Sequence, residues 1–242
     1  MMQQNAFATD VRLRCNRPGC PRDYALDMGR SLRSHVSGYH WNDHHPNTNR
    51  KPNAIGMVLG VYSTHGDHAG VIEGAGGTSL FTVCLNMEQN ALALSIQFDA
   101  NAAAEIHYLI AVHRAQELLG IDQLPPLILK HWPPLHVFGP SASAAVLCAV
   151  VSLFTNRLCR SDTAVTARVE FGTDELFGVG LLAQKAWGAR DAGLTRLVMA
   201  TADQDAWAAV PADVREGLTP VFVGTGRELL DVMFKPLPWA VQ

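Results

Sequence analysis

The chain has 242 residues, 48% of them hydrophobic, and a net charge of -3, which is enough apolar content for one well-filled core plus a small appendage. It holds no run of about eighteen apolar residues and no apolar signal core at its start, so no membrane partner and no secretion are expected, and a cytoplasmic protein is. Residues 1–52 carry eight Arg and Lys against four Asp while the remainder is acidic, an asymmetry that suits an anionic partner for the basic part.

Residues 1–11 read as a disordered start and residues 46–53 as a polar linker, bracketing a module at 12–45. In that module Cys15, Cys20, Tyr24, Leu32, His35 and His40 follow the spacing Cys-x4-Cys-x3-Tyr-x7-Leu-x2-His-x4-His. The pattern resembles a two-Cys two-His zinc finger, with fourteen residues between the second Cys and the first His where about twelve are usual. The resemblance implies Zn2+ bound by Cys15, Cys20, His35 and His40, with Tyr24 and Leu32 as the small core that the metal must supplement. His44 or His45 is the alternative to His40. Such a module docks a protein or contacts nucleic acid. Met28, Ser31 and Ser34 on its base-facing side are poor base readers, which favours protein or phosphate contacts over sequence recognition.

Residues 54–236 form the main domain, with 237–242 as a tail. Apolar alternation predicts strands near 57–62, 79–85 and 91–98, a mainly antiparallel region. A helix is predicted over 102–119, with Ile106, Leu109, Ile110, Val112 and Leu118 at helical spacing and Gly120 as its stop. A strand at 126–130, a helix at 140–154 and renewed alternation at 164–171 follow. The last part reads as a helix over 181–191, strands at 196–200 and 220–223 separated by a short helix near 212–216, and a closing helix over 227–234. This order gives an α+β or mixed α/β domain without internal repeats. Cys84, Cys148 and Cys159 read as core fillers, and Thr64-His-Gly-Asp-His68 as a loop between strands.

The most informative run is Phe138-Gly139-Pro140-Ser141-Ala142-Ser143-Ala144-Ala145. A Gly-Pro step delivers Ser141 to the start of an apolar helix, where backbone N–H groups are unpaired. Such a serine is either a helix-capping residue or a nucleophile with an anion-stabilising helix end beside it. With Gly178-Val-Gly-Leu-Leu-Ala-Gln-Lys185, Ala54 to Tyr62, Glu105 to Ile121, Ala192-Gly-Leu194 and Val210 to Leu218, this run resembles the proteolytic domain of the Lon protease family over about residues 53–234. The family signatures are a Gly-Pro-Ser-Ala-Gly serine and a Gly-Gly-Leu-Lys lysine.

The resemblance implies the Lon proteolytic fold, related to a ribosomal-protein domain, and a Ser–Lys dyad in which a desolvated, neutral lysine takes the serine proton. It gives Ser141 as the serine and Thr166 as the threonine that supports the lysine. Counting back from Ala192-Gly193 places the lysine position at Ala183, with Lys185 two residues further along the helix and so turned by about 200°. Phe138 stands where the family has an acid, Ser143 where it has the second glycine of the serine motif, and Leu181 where it has a glycine of the lysine motif.

These departures imply a degenerate site that binds and assembles rather than cuts. The alternative is an active, ATP-independent endopeptidase using Lys185 or an external base, or a catalytic-lysine mutant of one. No Gly-x-x-x-x-Gly-Lys-Ser/Thr loop is present, so substrate would arrive unfolded or through a separate ATPase. A homo-oligomeric ring and a peptide or protein partner are implied by the same resemblance.

Overall fold

The computed structural model describes residues 54–63, 76–88, 91–132 and 137–234, together with position 52 and the backbone of three short N-terminal strands. Those strands, β1 (Arg12–Cys15), β2 (Asp23–Ala25) and β3 (Pro46–Asn47), pair antiparallel in the order β2-β1-β3. The expected zinc ligands Cys20, His35 and His40, and the side chain of Cys15, lie outside the described residues. So does the loop at 64–68. Among the described residues no cluster of His, Cys, Asp and Glu fits a metal ion, and no helix is long and apolar enough to cross a membrane.

The main domain runs β4 (Met57–Ser63), β5 (Gly76–Leu85), β6 (Leu94–Ile96), α1 (Ala102–Leu119), β7 (Leu127–Trp132), α2 (Ser143–Thr155), β8 (Thr163–Thr166), β9 (Arg168–Val169), β10 (Leu176–Phe177) and α3 (Leu182–Asp191). It continues through β11 (Arg196–Ala200), a 3-10 turn at Thr201–Asp203, α4 (Gln204–Ala208), α5 (Ala212–Arg215), β12 (Thr219–Val223) and α6 (Gly226–Met233). Seven strands form one sheet in the order β12-β11-β8-β4-β5-β7-β6. Its β4–β5 and β5–β7 pairs are antiparallel, while β6–β7, β4–β8, β8–β11 and β11–β12 are parallel. The sheet is therefore mixed, and the architecture is mixed α/β rather than a mainly antiparallel region with helices set apart.

Both faces of the sheet are covered, which is why β4 reads as an unbroken apolar run. Val58 points into a core shared with Tyr108 and Ala111 of α1 and the first ten residues of α2, whereas Met57, Leu59 and Val61 point into a second core with Leu182, Ala186 and Ala189 of α3. Helix α2 is buried from Ser143 through Ser152, as expected of a helix that is apolar all round. Asn101 caps α1 by accepting the Ala104 N–H at 2.9 Å, and Gly120 ends it at φ 65°.

Two elements differ from the sequence pattern for identifiable reasons. Alternation over 91–98 yields only β6, because this is an edge strand and only Leu94–Ile96 register with β7. The helix expected from residue 140 begins at Ser143, so Ser141 occupies the turn that precedes the helix.

Candidate active site

Gly139, with φ 72°, and Pro140 turn the chain into α2. The turn is pinned from below: the Gly139 N–H reaches Asn101 Oδ1 at 3.4 Å, and the Ser143 N–H closes onto the Pro140 carbonyl at 3.0 Å. Ser143 is buried and fully engaged, donating from Oγ to the Pro140 carbonyl at 2.7 Å and accepting the Val169 N–H at 2.8 Å. Where the family motif has a glycine, this serine thus laces the helix start to β9. Ser141 does not cap the helix, since the N-cap is Ala142 and it makes no side-chain capping bond. Only the backbone of Ser141 is held, its carbonyl accepting the Ala167 N–H at 3.2 Å and the Thr166 hydroxyl at 3.3 Å.

Thr166 ends β8 and is fully buried. Its Oγ1 also accepts a hydrogen bond from Lys185 Nζ at 3.2 Å. Lys185 is 3% exposed. Burial lowers its amine from a lysine's ordinary 10.5 to about 8, against the opposing pull of Asp203. Although Lys185 is turned by about 200° from position 183, its amine lies on Thr166, one hydroxyl removed from the Ser141 backbone. Ala183 is half-buried on α3 and packs against the second core. Lys185 bonds Thr166 rather than the Ser141 hydroxyl itself.

The phase of α3 explains this. Leu182, Lys185, Ala186, Gly188 and Ala189 form its buried stripe, with the i, i+3, i+4 spacing of one helical face. The helix lies directly on the glycine pair that opens β5. A Cβ at Gly188 would come within 2.3 Å of the Gly77 backbone nitrogen, and one at Gly76 within 1.7 Å of the Gln184 carbonyl oxygen. That contact fixes which side faces the sheet, and Lys185 is on it. Leu181 makes the bend into the helix in the left-handed region, at φ 60° and ψ 40°.

A further charged group completes the site. Asp203 lies just beyond the carboxyl end of β11, whose Met199 is in register with Thr166 of the neighbouring parallel β8. It is 2% exposed, accepts the Val179 N–H on Oδ1 at 2.9 Å, and exerts an electrostatic pull on Lys185. Burial raises its carboxyl, offset in part by the Val179 N–H and Lys185. The sequence reading missed it. Its one signal was an acid three residues after the apolar strand Leu197-Val-Met-Ala200, near the strand end where open parallel sheets gather functional groups.

These groups gather at the carboxyl ends of β8 and β11, around a serine in a pinned turn and a buried amine of lowered pKa. Residues 135–236 match the Lon protease (S16) C-terminal proteolytic domain. Among curated proteins, the mitochondrial Lon protease homolog of Yarrowia lipolytica is 36% identical over 99 residues, 41% of this chain and 8% of that protein. The Lon protease of Frankia alni is 36% identical over 98 residues, 40% of this chain and 11% of its own length. The peroxisomal Lon protease homolog 2 of Caenorhabditis briggsae is 29% identical over 100 residues, 41% of this chain and 13% of its own length. The chain thus spans about a tenth of the length of these Lon relatives. Two of the three are named for mitochondria or peroxisomes rather than the cytoplasm. The matched Lon segment contains Ser141, Thr166, Lys185 and Asp203.

Proposed function

We propose that the chain carries a Lon-type serine peptidase site in which Ser141 is the nucleophile and Lys185, rather than the residue at 183, is its base. The observation that supports this reading is the buried Lys185 amine on Thr166 Oγ1, the same hydroxyl that reaches the backbone of Ser141. An amine held near pKa 8 is neutral often enough near neutral pH to act as a general base. As Ser141 Oγ bonds the scissile carbonyl carbon, its O–H bond breaks, the proton passes to Lys185 Nζ, and the carbonyl electron pair moves onto oxygen. The backbone N–H groups of Ser141 and Ala142, in the turn before α2, stabilise that oxyanion. The proton then goes to the leaving amine as the C–N bond breaks, and water repeats the sequence on the acyl-enzyme.

Phe138, 45% exposed, gives the entrance an apolar side where the family motif places an acid. An unfolded or flexible protein segment is the substrate this suits, delivered by a separate ATPase or by its own flexibility, and a homo-oligomeric ring is the assembly proposed for it. The test is turnover of an unfolded protein by the wild-type chain and by Ser141→Ala and Lys185→Met. Loss of turnover in both variants supports the reading. Turnover that persists in Lys185→Met refutes it, and a wild-type chain with no turnover favours binding and assembly instead.

A further inference from the structure

Asp203 has three properties that do not belong together in an ordinary structural residue. It is 2% exposed, its Oδ2 is buried without a hydrogen-bond partner, and its neighbour Gly178 has no room for a side chain, since a Cβ there would lie 2.6 Å from Oδ1. Folding a carboxyl into such a place and leaving one oxygen unpaired is costly. Its other oxygen accepts the Val179 N–H, in the turn that runs through Leu181 into α3, the helix that carries Lys185.

We propose that Asp203 is a positioning residue of the Ser141–Lys185 site, its Oδ1 anchoring the turn from which the lysine helix starts and its unpaired Oδ2 supplying the negative charge that balances the Lys185 ammonium. The inference rests on the peptidase reading and deepens it. When Ser141 gives its proton to Nζ, a positive charge appears on an amine that is only 3% exposed, and a fixed carboxylate whose field reaches it lowers the energy of that state. The Thr166 hydroxyl from β8 accepts a hydrogen bond from the Lys185 amine, and Asp203, in the turn after β11, is the one charged group among the described residues whose field bears on that amine. Tyr62 is half-buried on β4, which α3 packs against, and its phenol feels Asp191 rather than Lys185.

Asp203→Asn separates the two roles, because the amide oxygen still accepts the Val179 N–H while the charge is gone. The chain has four lysines, so lysine labelled with carbon-13 at Cε gives a spectrum in which Lys185→Met identifies the Lys185 signal. In Asp203→Asn the Lys185 titration midpoint is expected to fall by about half a pH unit or more, with kcat down about tenfold and KM unchanged. The same Lys185 midpoint in both folded chains overturns the proposal, whatever their activity. If Asp203→Asn does not fold, the reciprocal measurement decides: in Lys185→Met the Asp203 carboxyl should titrate at higher pH, and an unmoved Asp203 midpoint overturns the proposal. A coupled pair in a wild-type chain without turnover refutes the peptidase reading while the Asp203–Lys185 pairing stands.

Discussion

Replacing Lys185 with Met should stabilise the protein at neutral pH and lose that advantage as the pH rises. Met keeps most of the side-chain length and removes the amine. The fall of the Lys185 pKa from 10.5 to about 8 corresponds to about 3 kcal/mol, at about 1.4 kcal/mol per pH unit. Removing the bond to Thr166 gives back about 1 kcal/mol, so a net gain of about 2 kcal/mol is expected at pH 7. The sign follows from proton binding. Below about pH 8 the amine is charged in both folded and unfolded chains, and the folded state bears the full cost of the buried charge. Between about 8 and 10.5 the unfolded chain binds more protons than the folded one, so wild-type stability from this group rises with pH. Urea unfolding of both chains between about pH 7 and pH 10.5 measures the difference, and the other titrating groups cancel in the comparison. A stability difference that stays constant over this range would show that Lys185 is not held with a lowered pKa, and the argument for it as a base would fail.

Three other outcomes are expected. Gly188→Ala drives a methyl into the Gly76–Gly77 backbone and should cost more than about 2 kcal/mol in urea unfolding; a cost below about 0.5 kcal/mol would mean that α3 does not seat on β5 as described. Thr166→Val removes the hydroxyl that bridges Lys185 and the Ser141 carbonyl and should lower kcat about tenfold with little change in KM. The spacing of Cys15, Cys20, His35 and His40 predicts about one zinc per chain by elemental analysis, lost in Cys20→Ser, and a metal content unchanged by that substitution would dismiss the zinc module.

The serine was legible in the sequence because its position depends on local chemistry: a Gly-Pro step and an apolar helix are visible within eight residues. Helix α1 was legible in its extent, closed by a left-handed Gly120, but not in its buried face, which is Ala104, Tyr108, Ala111 and Ala115 while Ile106 and Leu109 of the expected stripe are exposed. The burial of Lys185 was not legible. Counting along the chain from Ala192-Gly193 gives a position in a motif but not which side of α3 faces the sheet, and that side is set by contact with Gly76 and Gly77 on a strand about a hundred residues earlier. The buried stripe of Leu182, Ala186, Gly188 and Ala189 already included position 185 by helical spacing, and reading that stripe before the motif would have pointed Lys185 inward. Leu181 shows a related compensation, taking a left-handed conformation at a position where the family motif carries glycine, at a cost of about 1 kcal/mol or more. Asp203 was invisible because its role comes from the parallel pairing of β8 and β11, which periodicity does not reveal.

The central claim is that Lys185 activates Ser141, and a serine-directed fluorophosphonate tests it without any assumption about substrate. Labelling is followed by mass spectrometry between about pH 6 and pH 9.5, with the modified residue located by peptide mapping. The account predicts modification at Ser141, at a rate that rises through about pH 8 as the amine loses its proton and falls to background in Lys185→Met. Labelling that ignores pH, or that proceeds equally well in Lys185→Met, would contradict it.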